Sequence, residues 1–147
     1  MFGAAGLAIA AWLCRPKLAV SHKLNGRDVA IEIAIGDIFG LPGALIIGSN
    51  TTFDTRISVE LISEKSVQGV FTRQFYGDEG QLDKALAPEL DRVSSSETLK
   101  GARAGKKTRY PIGTCARVDP KGRTAYLVAI GHMNESGVAS SDRKSVV

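Results

Sequence analysis

Residues 31–55 read IEIAIGDIFGLPGALIIGSNTTFDT. Two apolar runs each stop abruptly in small polar residues, Gly36-Asp37 after the first and Gly48-Ser49-Asn50-Thr51 after the second. In the first run Val29, Ile31, Ile33 and Ile35 recur at every second position. That is the period of a half-buried strand, expected over 29–35. The second run, 44–47, is apolar throughout and is expected to be a short, fully apolar strand. Gly, Asp, Ser and Asn after a strand can simply turn the chain, because they bond their own backbone or tolerate positive φ. The same residues also suit a ligand. Glycine lets backbone approach closely, a carboxylate accepts from an amine, and an amide both donates and accepts. In open α/β sheets ligands bind at the carboxyl ends of strands. The two stops are read as one candidate ligand-facing rim.

Working outward, residues 17–24 alternate weakly and can form a strand, with Asn25-Gly26-Arg27 as the hairpin turn that follows it. Leu41-Pro42-Gly43 is a break, and 51–65 is a polar loop. Residues 66–76, SVQGVFTRQFY, place Val67, Val70, Phe71 and Phe75 on one helical face. Leu82, Leu86 and Leu90 predict a second helix that Pro88 keeps short. Residues 94–109 hold five basic residues (Lys100, Arg103, Lys106, Lys107, Arg109) against Glu97, which predicts a solvated loop or disordered insert. The last two strands are expected over 112–118 and 125–130, joined by the turn Asp119-Pro120-Lys121-Gly122. Strands, then helices, then strands give α/β or α+β.

The chain has 147 residues, 44% hydrophobic and 23% charged, which suits one globular domain and excludes a disordered chain. A net charge of +4 is too mild to argue for nucleic acid. Cys14 and Cys115 form no disulfide framework and no metal-binding pair, and both are expected to be small buried hydrophobes. His22 and His132 lie far apart without neighbouring ligands, so no metal site is expected. Asp54 and Glu60 read as ordinary surface carboxylates, and Tyr110-Pro111 as a turn leading into a strand. Phe71, Phe75 and Tyr76 are expected in the core. No catalytic residue is assigned.

The two ends differ from the rest. Residues 1–14, MFGAAGLAIAAWLC, carry no charge and are followed by Arg15 and Lys17. As a helix they reach about 21 Å at about 1.5 Å per residue, short of the roughly 30 Å of a bilayer core. We read 1–14 as the tail of a transmembrane helix and 15–28 as a juxtamembrane segment, with the basic residues on the cytoplasmic side. A buried N-terminal helix is the alternative. Residues 142–147, DRKSVV, back-translate as GAT CGG AAG AGC GTC GTG followed by TAG, the string of a common sequencing-library adapter. They are read as a non-native tail, with the native sequence leaving this chain near Ser141.

The order of motifs resembles a family. Gly36-Asp37-Ile38, then IIGSN at 46–50, then the helix start Ser66-Val67-Gln68-Gly69 look like a macro domain, the ADP-ribose-binding module. More narrowly, GDIFGLPGALIIGSNTTFDT, ISEKSVQGVFTRQFY, YPIGT and AIGHMNESGVA resemble the membrane-tethered macro-domain effectors of bacterial Thoeris anti-phage defence. The resemblance covers about 29–139 and implies an α/β fold, a three-layer α/β/α macro-like domain with a mixed sheet over 29–141. It implies that Asp37 binds the adenine amino group, that Ile38 adds its backbone N–H, and that Asn50 lies near the distal ribose. Ser66, Gln68, Gly69 and Val70 would stand at the first phosphate-proximal loop. Here Ser-Val-Gln-Gly replaces a run of glycines, which favours a sensor over a hydrolase. The family's second phosphate loop would follow another strand and helix after Ala139.

The expectation is a domain at the cell membrane, facing the bacterial cytoplasm, that senses an ADP-ribose-derived nucleotide. The ligand is ADP-ribose or a conjugate of it. Self-association stays open, and nucleic acid is not the expected partner. The alternatives are an ADP-ribosyl hydrolase of macro fold, marked by turnover, and a nucleic-acid-binding module working through 100–109, marked by steep salt dependence.

Overall fold

The computed structural model describes residues 18–58, 60–94, 96–100, 104–134 and 139–140. They form two compact units that divide after Leu41. The transmembrane reading of 1–14 and the tail 142–147 lie outside the described residues. No helix among the described residues is long and apolar enough to cross a membrane.

The first unit is an antiparallel hairpin of β1 (Ala19–Lys23) and β2 (Ala30–Ala34). Gly26 supplies the positive φ of 73° at its turn, and Leu24 N–H donates to Val29 O at 2.9 Å. The half-burial expected of the second strand is absent. Every residue of both strands is exposed, Ile33 at 73%. Alternation reports which residues share a face of a strand; a two-stranded ribbon by itself has nothing to bury that face. After the strand, Asp37 caps a single 3-10 turn, Ile38–Gly40, accepting from Phe39 N–H at 2.9 Å.

The second unit is built on a mixed sheet. In it β3 (Leu45–Asn50) runs parallel to β7 (Ala125–Met133), which β6 (Cys115–Val118) and β8 (Ala139–Ser140) pair antiparallel. β3 outruns the expected 44–47, because its pairing with β7 continues through Gly48, Ser49 and Asn50, with a register shift before Asn50. It also alternates. Leu45 and Ile47 are buried and Ile46 is 68% exposed. On the buried face Ile47, Ala116, Val118, Leu127 and Ala129 complete the core with Phe71, Leu82 and Leu86. These last three come from α1 (Val67–Phe71) and α2 (Glu79–Leu90), which pack on β3 and β6. On the other face Ile46 and Ile130 are open. The described residues therefore supply two layers of the expected three.

α1 starts where Ser66 Oγ accepts from Gly69 N–H at 3.1 Å, and it widens into a π turn over Thr72–Tyr76. It buries Gln68, Gly69, Phe71 and Thr72, while Val67 and Val70 are exposed, so the expected apolar face is only partly the packed one. Phe71 is buried and Phe75 stacks on it at 5.1 Å. α2 is capped by Asp78, which accepts from Gln81 N–H at 2.9 Å, and it runs two residues past Pro88. Residues 97–109 are ordered where described. β4 (Glu97–Thr98) pairs with β5 (Thr108–Arg109), and Leu99 is buried. Cys115 occupies an outward position of β6 and is exposed, contrary to its expected burial.

Candidate functional site

β3 ends in the run Asn50-Thr51-Thr52-Phe53-Asp54-Thr55, and all six residues are buried. Buried polar groups must find partners or leave an expensive orphan, and this run finds them largely within itself. Asn50 Oδ1 accepts from the N–H groups of Thr52 and Asp54, each at 3.1 Å, and lies 3.0 Å from Thr52 Oγ1. Asn50 Nδ2 donates to Asp54 Oδ2 at 3.1 Å. The Thr52 hydroxyl is also 2.5 Å from that carboxylate oxygen, and its single proton can serve only one of the two acceptors. Thr51 ties the loop to its surroundings. Its N–H donates to Gly131 O, its Oγ1 accepts from Met133 N–H, and its carbonyl accepts from Tyr110 N–H.

Phe53 sits in this turn at φ 47°, the left-handed region, which costs a non-glycine residue about 1 kcal/mol or more. Its ring is fully buried and meets Tyr110 edge-on at 5.7 Å. Burial, reinforced by the negative charge of Asp91, pushes the Tyr110 hydroxyl above its ordinary pKa.

A second ring of bonds surrounds the loop. Asp54 Oδ1 accepts from Lys106 N–H at 2.7 Å, and Asp54 O accepts from Gln68 Nε2 at 2.6 Å. The Lys106 ammonium donates to Phe53 O at 2.8 Å and pairs with Asp83. Thr55 Oγ1 donates to Asp83 Oδ1 at 2.7 Å. Two open clefts flank this ring. One of about 270 Å³ is lined by Asp54, Thr55, Arg56 and Glu79, among others, and one of about 450 Å³ by Thr52, Leu86, Leu90 and Tyr110, among others. Asp83 and Lys106 line both. Among the described residues no group of three His, Cys, Asp or Glu could hold a metal ion.

Asn50 and Gln68 are brought together through Asp54. The Asn50 side chain is largely consumed by its own loop, with one amide hydrogen beyond the bond to Asp54. Gly69 is required by close approach: a Cβ there would collide with the Ser63 carbonyl oxygen. Ser66 is engaged as the cap, and Val70 is 37% exposed beside it. Asp37 and Ile38 belong to the first unit, both on its exposed strand end.

Two residues escaped the sequence reading. Asp54, expected on the surface, is 1% exposed and forms the hub of the loop. Lys106, expected to be solvated, is bonded to two other elements. The four-residue spacing from Asn50 to Asp54 across Thr-Thr-Phe was the available signal, since Asn and Asp side chains fold back on nearby backbone.

Residues 31–147 match the family model for the macro domain of Thoeris protein ThsA. The Thoeris protein ThsA of Bacillus amyloliquefaciens (strain Y2) is 28% identical over 99 residues, covering 65% of this chain and 33% of that protein. The chain thus spans about a third of that relative's length. The match takes in all of β2 but Ala30, both strand ends, the mixed sheet and its two helices, and the chain belongs to the Thoeris ThsA macro-domain family.

Proposed function

We propose that this chain is the nucleotide-sensing macro domain of a membrane-anchored anti-phage effector, and that its ligand is ADP-ribose or a conjugate of it. The observation that carries the reading is the family match over 31–147, which includes the Gly36-Asp37-Ile38 stop and the helix start at Ser66. In this reading Asp37 accepts the adenine amine and Ile38 offers its N–H. Residues 66–70 stand beside the phosphates, where Ser66, Gln68, Gly69 and Val70 shape the wall. Asn50 acts mainly through the loop it organises, because its carbonyl oxygen already serves two backbone N–H groups there. Ser-Val-Gln-Gly at 66–69, in place of a run of glycines, favours a pocket that holds its ligand without turnover. The uncharged segment 1–14 supplies the anchor, and the output is a change in the membrane-embedded part.

The test is calorimetric titration of the complete protein with ADP-ribose, alongside incubation with an ADP-ribosylated protein and analysis for released ADP-ribose. Binding of ADP-ribose with no release from the ADP-ribosylated protein is the expected result. Conversion of an ADP-ribosylated substrate would assign a hydrolase instead, and no heat on titration would remove ADP-ribose as the ligand. Fractionation of the same protein is expected to place it in membranes.

A further inference from the structure

We propose that Lys106 is a positioning residue for the loop 50–55 and thereby sets affinity for an anionic nucleotide; the affinity half rests on the function proposed above, the loop half does not. One residue makes three bonds here. Its N–H donates to Asp54 Oδ1 at 2.7 Å, and its ammonium both donates to Phe53 O at 2.8 Å and pairs with Asp83 of α2. Thr55 Oγ1 reaches the same Asp83 oxygen at 2.7 Å. A single carboxylate on α2 therefore holds the loop at two points, through Lys106 to residue 53 and directly to residue 55.

This loop needs holding. Phe53 is left-handed at φ 47°, and such residues persist only where the surroundings over-determine them. The lysine binds the carbonyl of that strained residue itself. An exposed ion pair alone contributes little. Here the side chains of Lys106 and Asp83 are 35% and 42% exposed, so the pair can open to solvent, while the bonds it supports run to a buried backbone carbonyl and a buried hydroxyl. The pair also lines both clefts.

The experiment compares the full chain with Lys106→Met and Lys106→Arg by amide hydrogen exchange without ligand. The Thr52 and Asp54 amides, both donors to Asn50 Oδ1, report the loop; the Ala129 amide, which donates to Thr114 O, reports the sheet. In Lys106→Met the two loop amides are expected to exchange about tenfold faster or more, with Ala129 unchanged, since local opening is read site by site. Lys106→Arg, which keeps the cation, should stay within about threefold of wild type. Unchanged loop exchange in Lys106→Met overturns the proposal. Should that variant also loosen Ala129, Asp83→Asn decides in its place: selective acceleration at Thr52 and Asp54 supports the latch, and none refutes it.

Titration of the same proteins with ADP-ribose tests the affinity half. A loss of about fivefold or more in Lys106→Met, recovered in Lys106→Arg, is the expected result. Faster loop exchange with unchanged affinity would overturn that half. Failure of wild type to bind ADP-ribose would sink the proposed ligand and leave the exchange data to decide the latch.

Discussion

The strand end at 36–40 and the strand end at 50–55 are written in overlapping residues: Gly36, Asp37 and Gly40 in one, Asn50, Thr51, Thr52 and Asp54 in the other. At the first, Asp37 is exposed and its carboxylate accepts from the nearby Phe39 N–H. At the second, every residue is buried, and the Asn50 and Asp54 side chains bond each other, the backbone and Lys106. An exposed carboxylate in water retains acceptor capacity for another molecule. A buried one must be satisfied internally, because an unmet partner costs about 1–3 kcal/mol. The first strand end is thus suited to contact a ligand, and the second to hold a shape.

Removing the hub should give the largest effect. Asp54→Ala strips partners from Asn50 Nδ2 and Lys106 N–H inside the fold and is expected to cost about 2–6 kcal/mol, at about 1–3 kcal/mol for each of the two donors left unmet. Asp37→Ala should cost about 1 kcal/mol or less, as a lost cap does. Urea denaturation of both variants measures the difference; equal losses would break the comparison.

Affinity tests the first strand end directly. Asp37→Ala is expected to weaken ADP-ribose binding by about 1.5–3 kcal/mol, the worth of a hydrogen bond to a charged group. Calorimetry on a variant whose stability is nearly unchanged reads this directly. Unaltered affinity would reduce the first strand end to a turn.

Glycines sharpen the contrast next. Gly69→Ala drives a Cβ into Ser63 O and should cost about 1–3 kcal/mol of stability. Gly40→Ala meets nothing within 4 Å, and a surface change of this kind stays within about 0.5 kcal/mol. Paired thermal melts test both.

The smallest effect concerns exposed caps. The backbone and side-chain bonds from Gln81 hold the Asp78 carboxyl below its usual pKa. Its folded value is therefore below its unfolded value of about 3.9. The stability it contributes is present above the unfolded value and is lost as pH falls through the folded one. Below about pH 4, Asp78→Asn should lose stability less steeply than wild type, by less than one proton's worth of slope. Melting temperatures measured from pH 5 downward check this.

The sequence by itself determined the local elements. Asn25-Gly26 and the flanking alternation specify the hairpin, Leu82, Leu86 and Leu90 specify the inner face of α2, and the motif order carries the family. These are readable because turn chemistry and periodicity act between neighbours along the chain. Only the tertiary structure decided which apolar faces are covered. Ile31 and Ile47 both sit in alternating strands, yet Ile31 is 50% exposed and Ile47 is buried under the helices. Tertiary structure also decided the roles of Asp54 and Lys106, whose bond spans 52 residues of sequence. A carboxylate in a polar stretch looks solvated until the fold closes over it, and a lysine in a basic run looks free until a strained carbonyl is placed against it. Burial and long-range pairing depend on what arrives from elsewhere in the chain, and no local pattern records that.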